Sequence, residues 1–439
     1  MIKIIFDKDK NCAMAFDEEK NIGICKFSVS SNTWNITHTY VDNEYQGQGI
    51  AKQLVMKVVN NANMYKTQLT ADCSYANNII KKLGENKMTN YFDTISDYLK
   101  EYFSILSSDI PDFLNDYIQT PEMQKQANIS VTCGTIYSKM FNIDMWYSSL
   151  DHSVAVALIV WHFTKDKKQT LSGLLHDIAT PVFKHCIDFM NGDHETQEST
   201  EGLTTQIIAN SKEIMALLNR DGIKIEEVCD YHIYPIADND TPKLSADRLE
   251  YTFSNGLGVR RYLWTLDEVR KVYNNIEVGT NELGEIEMCF GDIALAEKFV
   301  SNMRILSSSY IDSKTKLAMQ FFADIVKRMS EDKVITISDM YSKSEKEVIA
   351  MIENYDKYGI AKIYNYWKNL NDVKESEEYV KDTYCVSIKA KIRYINPLVK
   401  VNGKCVRIKE ISNKASKDID DALNYKTPKY AYIDMDFEK

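Results

Sequence analysis

The stretch Leu174-Leu175-His176-Asp177-Ile178 determines how this sequence is expected to fold and where its chemistry lies. An imidazole and a carboxylate stand side by side in an apolar helical segment, where uncompensated charge is costly to bury. Metal coordination would remove that cost. Adjacent residues on a regular helix point about 100° apart, so both side chains reach one ion only at a helix end. Pro181, just downstream, predicts such an end.

Histidine is concentrated around this segment. Five of the seven histidines lie within residues 152–194, and histidine is the common neutral metal ligand and proton shuttle. His152 opens another apolar helical segment, and Asp247 follows the His176–Asp177 pair by about 70 residues. Imidazole and carboxylate ligands suit a divalent ion such as Mn, Fe, Zn or Mg. These four groups are therefore in the right order for a metal site.

Composition places the rest of the chain in an ordinary class. The 439 residues are 44% hydrophobic and 26% charged, which is typical of a soluble globular protein with two or three domains. The net charge of −10 argues against a broad nucleic-acid-binding face. A local basic pocket for a phosphorylated small molecule is still compatible with it.

Cysteine use and hydropathy bear on location. The nine cysteines are scattered without a CxxC motif, which indicates reduced thiols. No run reaches about 18 apolar residues, so no membrane span is expected, and the N-terminus has no signal-peptide layout. A cytoplasmic protein is predicted, with a homo-oligomer as one alternative for its assembly.

Local patterns predict a multi-domain chain. Residues 1–88 are expected to form a small α/β domain, residues 89–375 a mostly α-helical domain, and residues 376–439 a small β-containing region. Spacing of 3.6 residues predicts helices over 150–164 and 169–178, among others. Alternating apolar residues from Val386 predict a strand, and Val401-Asn402-Gly403-Lys404 predicts a type I′ hairpin.

Four segments resemble the HD-domain metal-dependent phosphohydrolases, and among them the deoxynucleoside triphosphate triphosphohydrolase branch. They are residues 120–125, 151–154, 176–185 and 247–251, so the resemblance covers roughly residues 115–255. The chain departs from that pattern at Lys125, where the family has arginine, at residues 147–150 and at Ala179-Thr180. These departures touch substrate contacts and leave the ligand positions intact.

The resemblance implies a role for each matching residue. The metal ligands would be His152, His176, Asp177 and Asp247. The catalytic set would be His185, Asp188 and His194. Arg248 and Tyr251 would face the phosphates or the sugar of the substrate. Independently, the three-residue spacing from His185 to Asp188 puts both on one helix face, where the carboxylate could fix the imidazole tautomer.

The implied activity is hydrolysis of a nucleotide or other small phosphate ester, and three alternatives remain open. His185 and His194 could instead bind a second ion, as in binuclear HD phosphodiesterases. The substrate could be a cyclic nucleotide, an alarmone or a nucleoside monophosphate. The helical domain could also be a nucleotide-sensing module that regulates an acyltransferase.

A glycine-containing turn marks the N-terminal region. Gln46-Gly47-Gln48-Gly49-Ile50-Ala51 follows a strand and opens a helix, a context in which backbone N–H groups can cradle a phosphate. The turn resembles motif A of the GCN5-related N-acetyltransferases (GNAT), and residues 1–88 are similar to their minimal bacterial members. This implies that the turn binds acetyl-CoA. It also implies that Cys73 approaches the acyl thioester, as a nucleophile or as a wall of the pocket; a small buried residue at a strand end is the alternative.

Overall fold

The computed structural model describes residues 2–30, 33–65, 67–85, 90–143, 145–192, 203–259 and 263–438. The chain divides into two compact units, Met1–Asp93 and Thr94–Lys439. A small α/β unit is therefore followed by a mostly helical one, which confirms the predicted multi-domain fold class.

The N-terminal unit is a five-stranded sheet with two helices. Its elements are β1 (Ile2–Asp7), β2 (Cys12–Asp17), β3 (Lys20–Ser30), β4 (Thr33–Val41), α1 (Ile50–Met64), β5 (Gln68–Ala71) and α2 (Ser74–Glu85). The strands lie in the order β1-β2-β3-β4-β5, antiparallel except for the last pair. A parallel pair needs a crossover, and α1 provides it. The buried face of α1 packs on the sheet through Ile50, Leu54 and Val58.

Strands β4 and β5 separate before β4 ends. Their pairing runs from Thr33 with Gln68 to Ile36 with Ala71, while β4 continues to Val41. The carbonyl oxygen of Ile36 accepts from the backbone N–H of Cys73 over 3.1 Å. Cys73 thus lies at the point where the two strands part, immediately before α2.

The helical unit contains seventeen further labelled helices and seven strands among the residues described. The helices are α4 (Asp97–Leu106), α5 (Phe113–Ile118), α6 (Pro121–Gln126), α7 (Ser149–Thr164), α8 (Lys167–Leu175), α9 (Cys186–Met190), α10 (Thr204–Asn210), α11 (Lys212–Asp221), α12 (Ala246–Ser254), α13 (Leu266–Tyr273), α14 (Ile293–Tyr310), α15 (Ser313–Glu331), α16 (Ile337–Ser342), α17 (Glu345–Glu353), α18 (Ile360–Lys368), α19 (Ile408–Ile411) and α20 (Asn413–Leu423), and a short helix α3 (Tyr91–Thr94) spans the boundary between the units. The strands are β6 (Ile276–Thr280), β7 (Ile286–Phe290), β8 (Lys374–Ser376), β9 (Tyr384–Val386), β10 (Leu398–Val401), β11 (Lys404–Arg407) and β12 (Tyr430–Ile433).

Helix α7 is the centre of this unit. It begins with a capping box, in which Ser148 and Asp151 bond each other's backbone N–H. Every residue from Ser149 to Val160 is buried, as expected of a helix that is apolar on all sides. Helix α8 can lie close against it because Gly173 faces Val156 and Val160; a Cβ added at Gly173 would be only 3.3–3.4 Å from their methyl groups.

Helix α8 is shorter than the predicted segment 169–178. It ends at Leu175, and the chain then tightens into turns, with Ile178 N–H bonded to Leu175 O and Thr180 N–H to Asp177 O. These three-residue turns leave His176 and Asp177 at the helix end. Both side chains can therefore be presented on one side, as the sequence argument required.

Two small sheets complete the unit, in the orders β11-β10-β7-β6 and β8-β12-β9. The predicted type I′ hairpin is confirmed, since β10 and β11 pair and the turn residues Asn402 and Gly403 have φ of +52° and +79°. The hairpin β6–β7 was not predicted. The strand predicted from Val386 onward was wrong in extent, because β9 stops there and Ile388 and Ala390 pack against the core from irregular chain.

Candidate metal centre

Three potential ligands come together from three helices. His152 is on α7, His176 caps the end of α8, and Asp247 is in the first turn of α12. Nε2 of His152 is 3.1 Å from Oδ1 of Asp247, and Nε2 of His176 is 3.8 Å from the same oxygen. The ligand atoms all lie within 4.8 Å of one another. Two imidazole nitrogens and a carboxylate oxygen at this spacing fit a divalent transition metal.

Asp177 lies beside this set and has a second partner. Its oxygens are each 3.9 Å from Nε2 of His152 or His176. Its Oδ2 also accepts a hydrogen bond from Nζ of Lys184 over 2.7 Å. Lys184 and the preceding Phe183 have positive φ values of +45° and +62°, an uncommon conformation for such residues. The strained turn places the ammonium group in the site.

Each imidazole is oriented through its other nitrogen. Nδ1 of His152 contacts Oε2 of the fully buried Glu250, and Nδ1 of His176 is 2.7 Å from the carbonyl oxygen of Gly173. Such outer partners fix the tautomer and the ring orientation of a metal-binding histidine. Both rings therefore direct Nε2 toward Asp247.

The charges around these side chains agree with a cation site. Burial alone would lower the pKa of His152, but the carboxylates of Glu250 and Asp247 raise it to about 10. Burial also acts to raise the pKa of Asp177, yet Lys184, His176 and His152 hold it well below its usual range. The pKa of Asp247 is likewise lowered against burial, chiefly by His152. The carboxylates are thus held in the anionic form that binds metal.

His185 and Asp188 form a pair at the start of α9. Nδ1 of His185 is 2.9 Å from Oδ2 of Asp188, which is fully buried. Burial lowers the pKa of His185, and the opposing effect of Asp188 offsets this only in part. A largely neutral imidazole that is held by a carboxylate can accept a proton. His194, the third member of the predicted catalytic set, lies outside the described residues.

One cavity joins the two groups. It has a volume of about 400 Å³, at the small end of the range for ligand pockets. Its wall includes seven of the residues predicted from the sequence: His152, His176, Asp177, His185, Asp247, Arg248 and Tyr251. Four further aromatic rings line it, namely Phe141, Tyr231, Tyr310 and Tyr394.

Arg248 and Tyr251 reach the cavity in different ways. The guanidinium of Arg248 donates to Asp238, Asn239 and Ser245 at 2.8–3.0 Å. These bonds tie the side chain to the segment that precedes α12. Tyr251 stands edge-on to Tyr310, with ring centroids 6.4 Å apart. A bound phosphate would have to compete with the protein partners of Arg248, whereas the two tyrosines offer aromatic surface.

Sequence reasoning missed Glu250, Lys184 and Arg393. Glu250 had a detectable signal, because it follows Asp247 by three residues and so shares a helix face with it. Lys184 is adjacent to His185, but only the positive φ values turn it toward Asp177. Nη2 of Arg393 is 3.5 Å from Nε2 of His185, across a sequence separation of 208 residues, which no local pattern reveals.

In the N-terminal unit the predicted glycine turn lies at the start of α1. Gly47 and Gly49 have φ of +80° and +78°, the left-handed region that favours glycine. Nε2 of Gln46 donates to the carbonyl oxygen of Val41 over 3.1 Å, which ties the turn to the end of β4. Gln48 lies between the glycines, and Ile50 and Ala51 begin the helix.

Cys73 shares a hydroxyl neighbour with a second thiol. Its Sγ donates to Oγ1 of Thr39 over 3.7 Å, and that hydroxyl donates to Sγ of Cys25 over 3.6 Å. Burial acts to raise the pKa of Cys73, but the backbone N–H of Ala76 and the hydroxyl of Thr39, which can rotate to donate to the thiolate, lower it overall. Burial raises the pKa of Cys25 to about 11.

Comparison with known proteins gives relatives for both units. Residues 12–88 match the family model for GCN5-related N-acetyl-transferases. The chain is 24% identical over 289 residues to the uncharacterized protein YdhJ of Bacillus subtilis, an alignment that covers 64% of this chain and 83% of YdhJ. It is 22% identical over 167 residues to the metal-dependent phosphohydrolase cns2 of Cordyceps militaris, covering 37% of this chain and 45% of that protein.

Two solved structures share the fold. A hypothetical protein from Aquifex aeolicus superposes with a TM-score of 0.53 at 14% identity, over 74% of this chain and 93% of its own. A phosphohydrolase from Bacteroides thetaiotaomicron superposes with a TM-score of 0.50 at 12% identity, over 75% of this chain and 97% of its own. The predicted resemblance is confirmed in this form: the N-terminal region matches the GNAT family model, and the chain is similar to proteins described as phosphohydrolases. Among the residues described, no helix is both long and apolar enough to cross a membrane.

Proposed function

We propose that the helical unit is a metal-dependent hydrolase of a nucleotide or another small phosphate ester. One observation carries the proposal: His152, His176 and Asp247 converge on the same cavity that His185 lines. Asp177 completes the set of proposed ligands. When bound, a divalent ion would supply Lewis-acid stabilisation of phosphate charge and activation of water.

The residues around that set have complementary roles in the proposal. Glu250 and the carbonyl of Gly173 hold the two imidazoles so that Nε2 of each faces the ion. His185, oriented by Asp188, is the proton acceptor. Lys184 neutralises Asp177 and is positioned to contact a phosphate oxygen. The tyrosines of the cavity wall suit a flat nucleobase, since aromatic rings stack on bases.

The test is a metal titration followed by a nucleotide panel. The full-length protein should bind about one Mn²⁺ per chain and release phosphate, or a longer phosphate chain, from at least one nucleotide in a panel scored by mass. The panel includes deoxynucleoside triphosphates, monophosphates, cyclic nucleotides and alarmones. His176→Ala should abolish both binding and turnover. His162→Gln, on the same helix as His152 but outside the cavity wall, is the matched control.

For the N-terminal unit we propose acetyl-CoA binding at the Gly47–Gly49 turn, with Cys73 beside the acyl group. The positive φ of both glycines and the separation of β4 from β5 next to Cys73 support this. Calorimetry with acetyl-CoA tests it directly. Absence of binding up to millimolar ligand would remove this part of the proposal.

A further inference from the structure

The chain between β9 and β10 contributes to the wall of the cavity. Lys391, Ile392, Arg393 and Tyr394 all line it. Ile388 and Ala390 pack against the core, so the alternate positions carry the cationic side chains. Lys389 is exposed, whereas Lys391 and Arg393 are half-buried where the chain reaches the cavity.

Arg393 lies beside the proposed proton acceptor. Because Nδ1 of His185 faces Asp188, the free edge of the ring is Nε2, and this atom is 3.5 Å from Nη2 of Arg393. Arg393, His185 and Tyr251 line the same cavity. The guanidinium therefore shares the cavity with the His185 edge and the aromatic wall.

The charge balance of the cavity indicates what it can hold. Its wall carries four carboxylates and four cationic side chains: Asp177, Asp238, Asp240, Asp247, Lys184, Arg248, Lys391 and Arg393. On the wall these charges cancel, and a divalent ion would add about two positive charges; Glu250 and Asp188, which contact His152 and His185 but do not line the cavity, offset part of them. Arg393 and Lys391 line the cavity itself, so an anion bound there is favoured, and a doubly charged anion more than a singly charged one.

We propose that Arg393, assisted by Lys391, binds a phosphate group of the substrate, and that the site prefers a doubly charged terminal phosphate to a singly charged phosphodiester. This inference rests on the proposed function and names the substrate class for the same site. Guanidinium groups bind phosphate oxygens in a bidentate manner. A terminal phosphate carries nearly two charges at neutral pH, whereas a diester carries one.

The experiment compares four full-length proteins loaded with Mn²⁺: wild type, Arg393→Gln, Arg393→Lys and the control Lys389→Gln. Calorimetry with inorganic phosphate should show about tenfold or greater weakening for Arg393→Gln, because a hydrogen bond to a charged group is lost. The phosphate affinity of Arg393→Lys should lie between those of wild type and Arg393→Gln. That of Lys389→Gln should stay within about twofold of wild type. Mn²⁺ stoichiometry and thermal melting establish that each variant is folded.

Kinetics separate binding from a structural role. Arg393→Gln should raise KM for a nucleoside monophosphate much more than KM for a cyclic nucleotide, with a smaller change in kcat. Equal phosphate affinity in wild type and Arg393→Gln, or equal KM changes for both ester types, would overturn the inference while leaving the hydrolase proposal intact. A wild type that binds Mn²⁺ and phosphate but cleaves neither a nucleotide nor another small phosphate ester would overturn the proposed function and, with it, the substrate preference.

Discussion

Nδ1 of His152 lies against Oε2 of Glu250 in a hydrogen bond that joins helix α7 to helix α12 inside the helical unit. Glu250 is fully buried, and its Oε1 also accepts from the hydroxyls of Tyr147 and Tyr102 at 2.6 and 3.2 Å. The carboxylate is thus satisfied on both oxygens. Its contact with His152 leaves Nε2 of that ring for a metal ion.

Glu250→Gln should weaken metal binding with little change in shape. If the amide oxygen keeps the tyrosine bonds, the NH₂ group faces Nδ1 of His152, and the proton must then reside on Nε2. Loss of such an outer partner typically costs 10–100-fold in metal affinity. Titration with Mn²⁺ followed by electron paramagnetic resonance measures this. Glu213→Gln, an exposed change on α11, is the control, and equal affinities in both variants would contradict the assignment.

Gly47→Ala and Gly49→Ala should weaken acetyl-CoA binding through the backbone. An added Cβ would have no heavy atom within 4 Å at either position, so the cost comes from the left-handed φ, about 1–2 kcal/mol. Hydrogen exchange of the α1 amides should report local destabilisation, and calorimetry the loss of affinity. Gly284→Ala is matched in φ (+81°) and in open space but lies in the other unit, so it should leave acetyl-CoA binding unchanged. A similar loss of affinity in all three variants would contradict the assignment.

Cys73 should be alkylated faster than Cys25. The two thiols contact the same hydroxyl of Thr39, yet the pKa is lowered at Cys73 and raised to about 11 at Cys25. The thiolate is the reactive form, so iodoacetamide at pH 7.5 should label Cys73 first, as read by peptide mass. Thr39→Val should slow this labelling, and acetyl-CoA should protect Cys73 if the thiol adjoins the acyl group. Equal rates for the two cysteines would contradict the prediction.

Glu345 should make the stability of the helical unit fall as the pH rises. Burial raises the pKa of this carboxyl from 4.5 to about 8, so between these values the folded state binds more protons than the unfolded state. The linkage relation then gives a free energy of unfolding that decreases from pH 4.5 to pH 8. The contribution is on the order of a few kcal/mol.

Glu345→Gln should flatten that dependence. Urea unfolding followed by tryptophan fluorescence at pH 5, 6, 7 and 8 measures it, because Trp367 lies in the same core cluster as Val348 of α17. Glu353→Gln, at the exposed end of α17 where Glu353 pairs with Lys368, should retain the wild-type dependence. If the free energy of unfolding of Glu345→Gln still falls with pH as in wild type, another group causes the pH dependence.

The sequence predicted features that depend on near neighbours. The adjacent His176 and Asp177 required a helix end, and the tight turns after Leu175 provide it. Asn402-Gly403 predicted a hairpin because both residues tolerate positive φ. Alternation from Val386 predicted too much strand, because alternation reports which side is buried and not whether a neighbouring strand is there to pair with.

What the sequence determined by itself was the chemistry available, namely the histidine–carboxylate set in apolar helices and the glycine turn after a strand, since these follow from residue type and short spacing. The tertiary structure alone decided which groups surround that set. Glu250 meets His152 across 98 residues and Arg393 meets His185 across 208. Such contacts arise from how helices pack and where irregular chain passes. The spacing of Glu250 from Asp247 indicates a shared helix face but not the contact with His152, and no local pattern reveals the contact of Arg393 with His185.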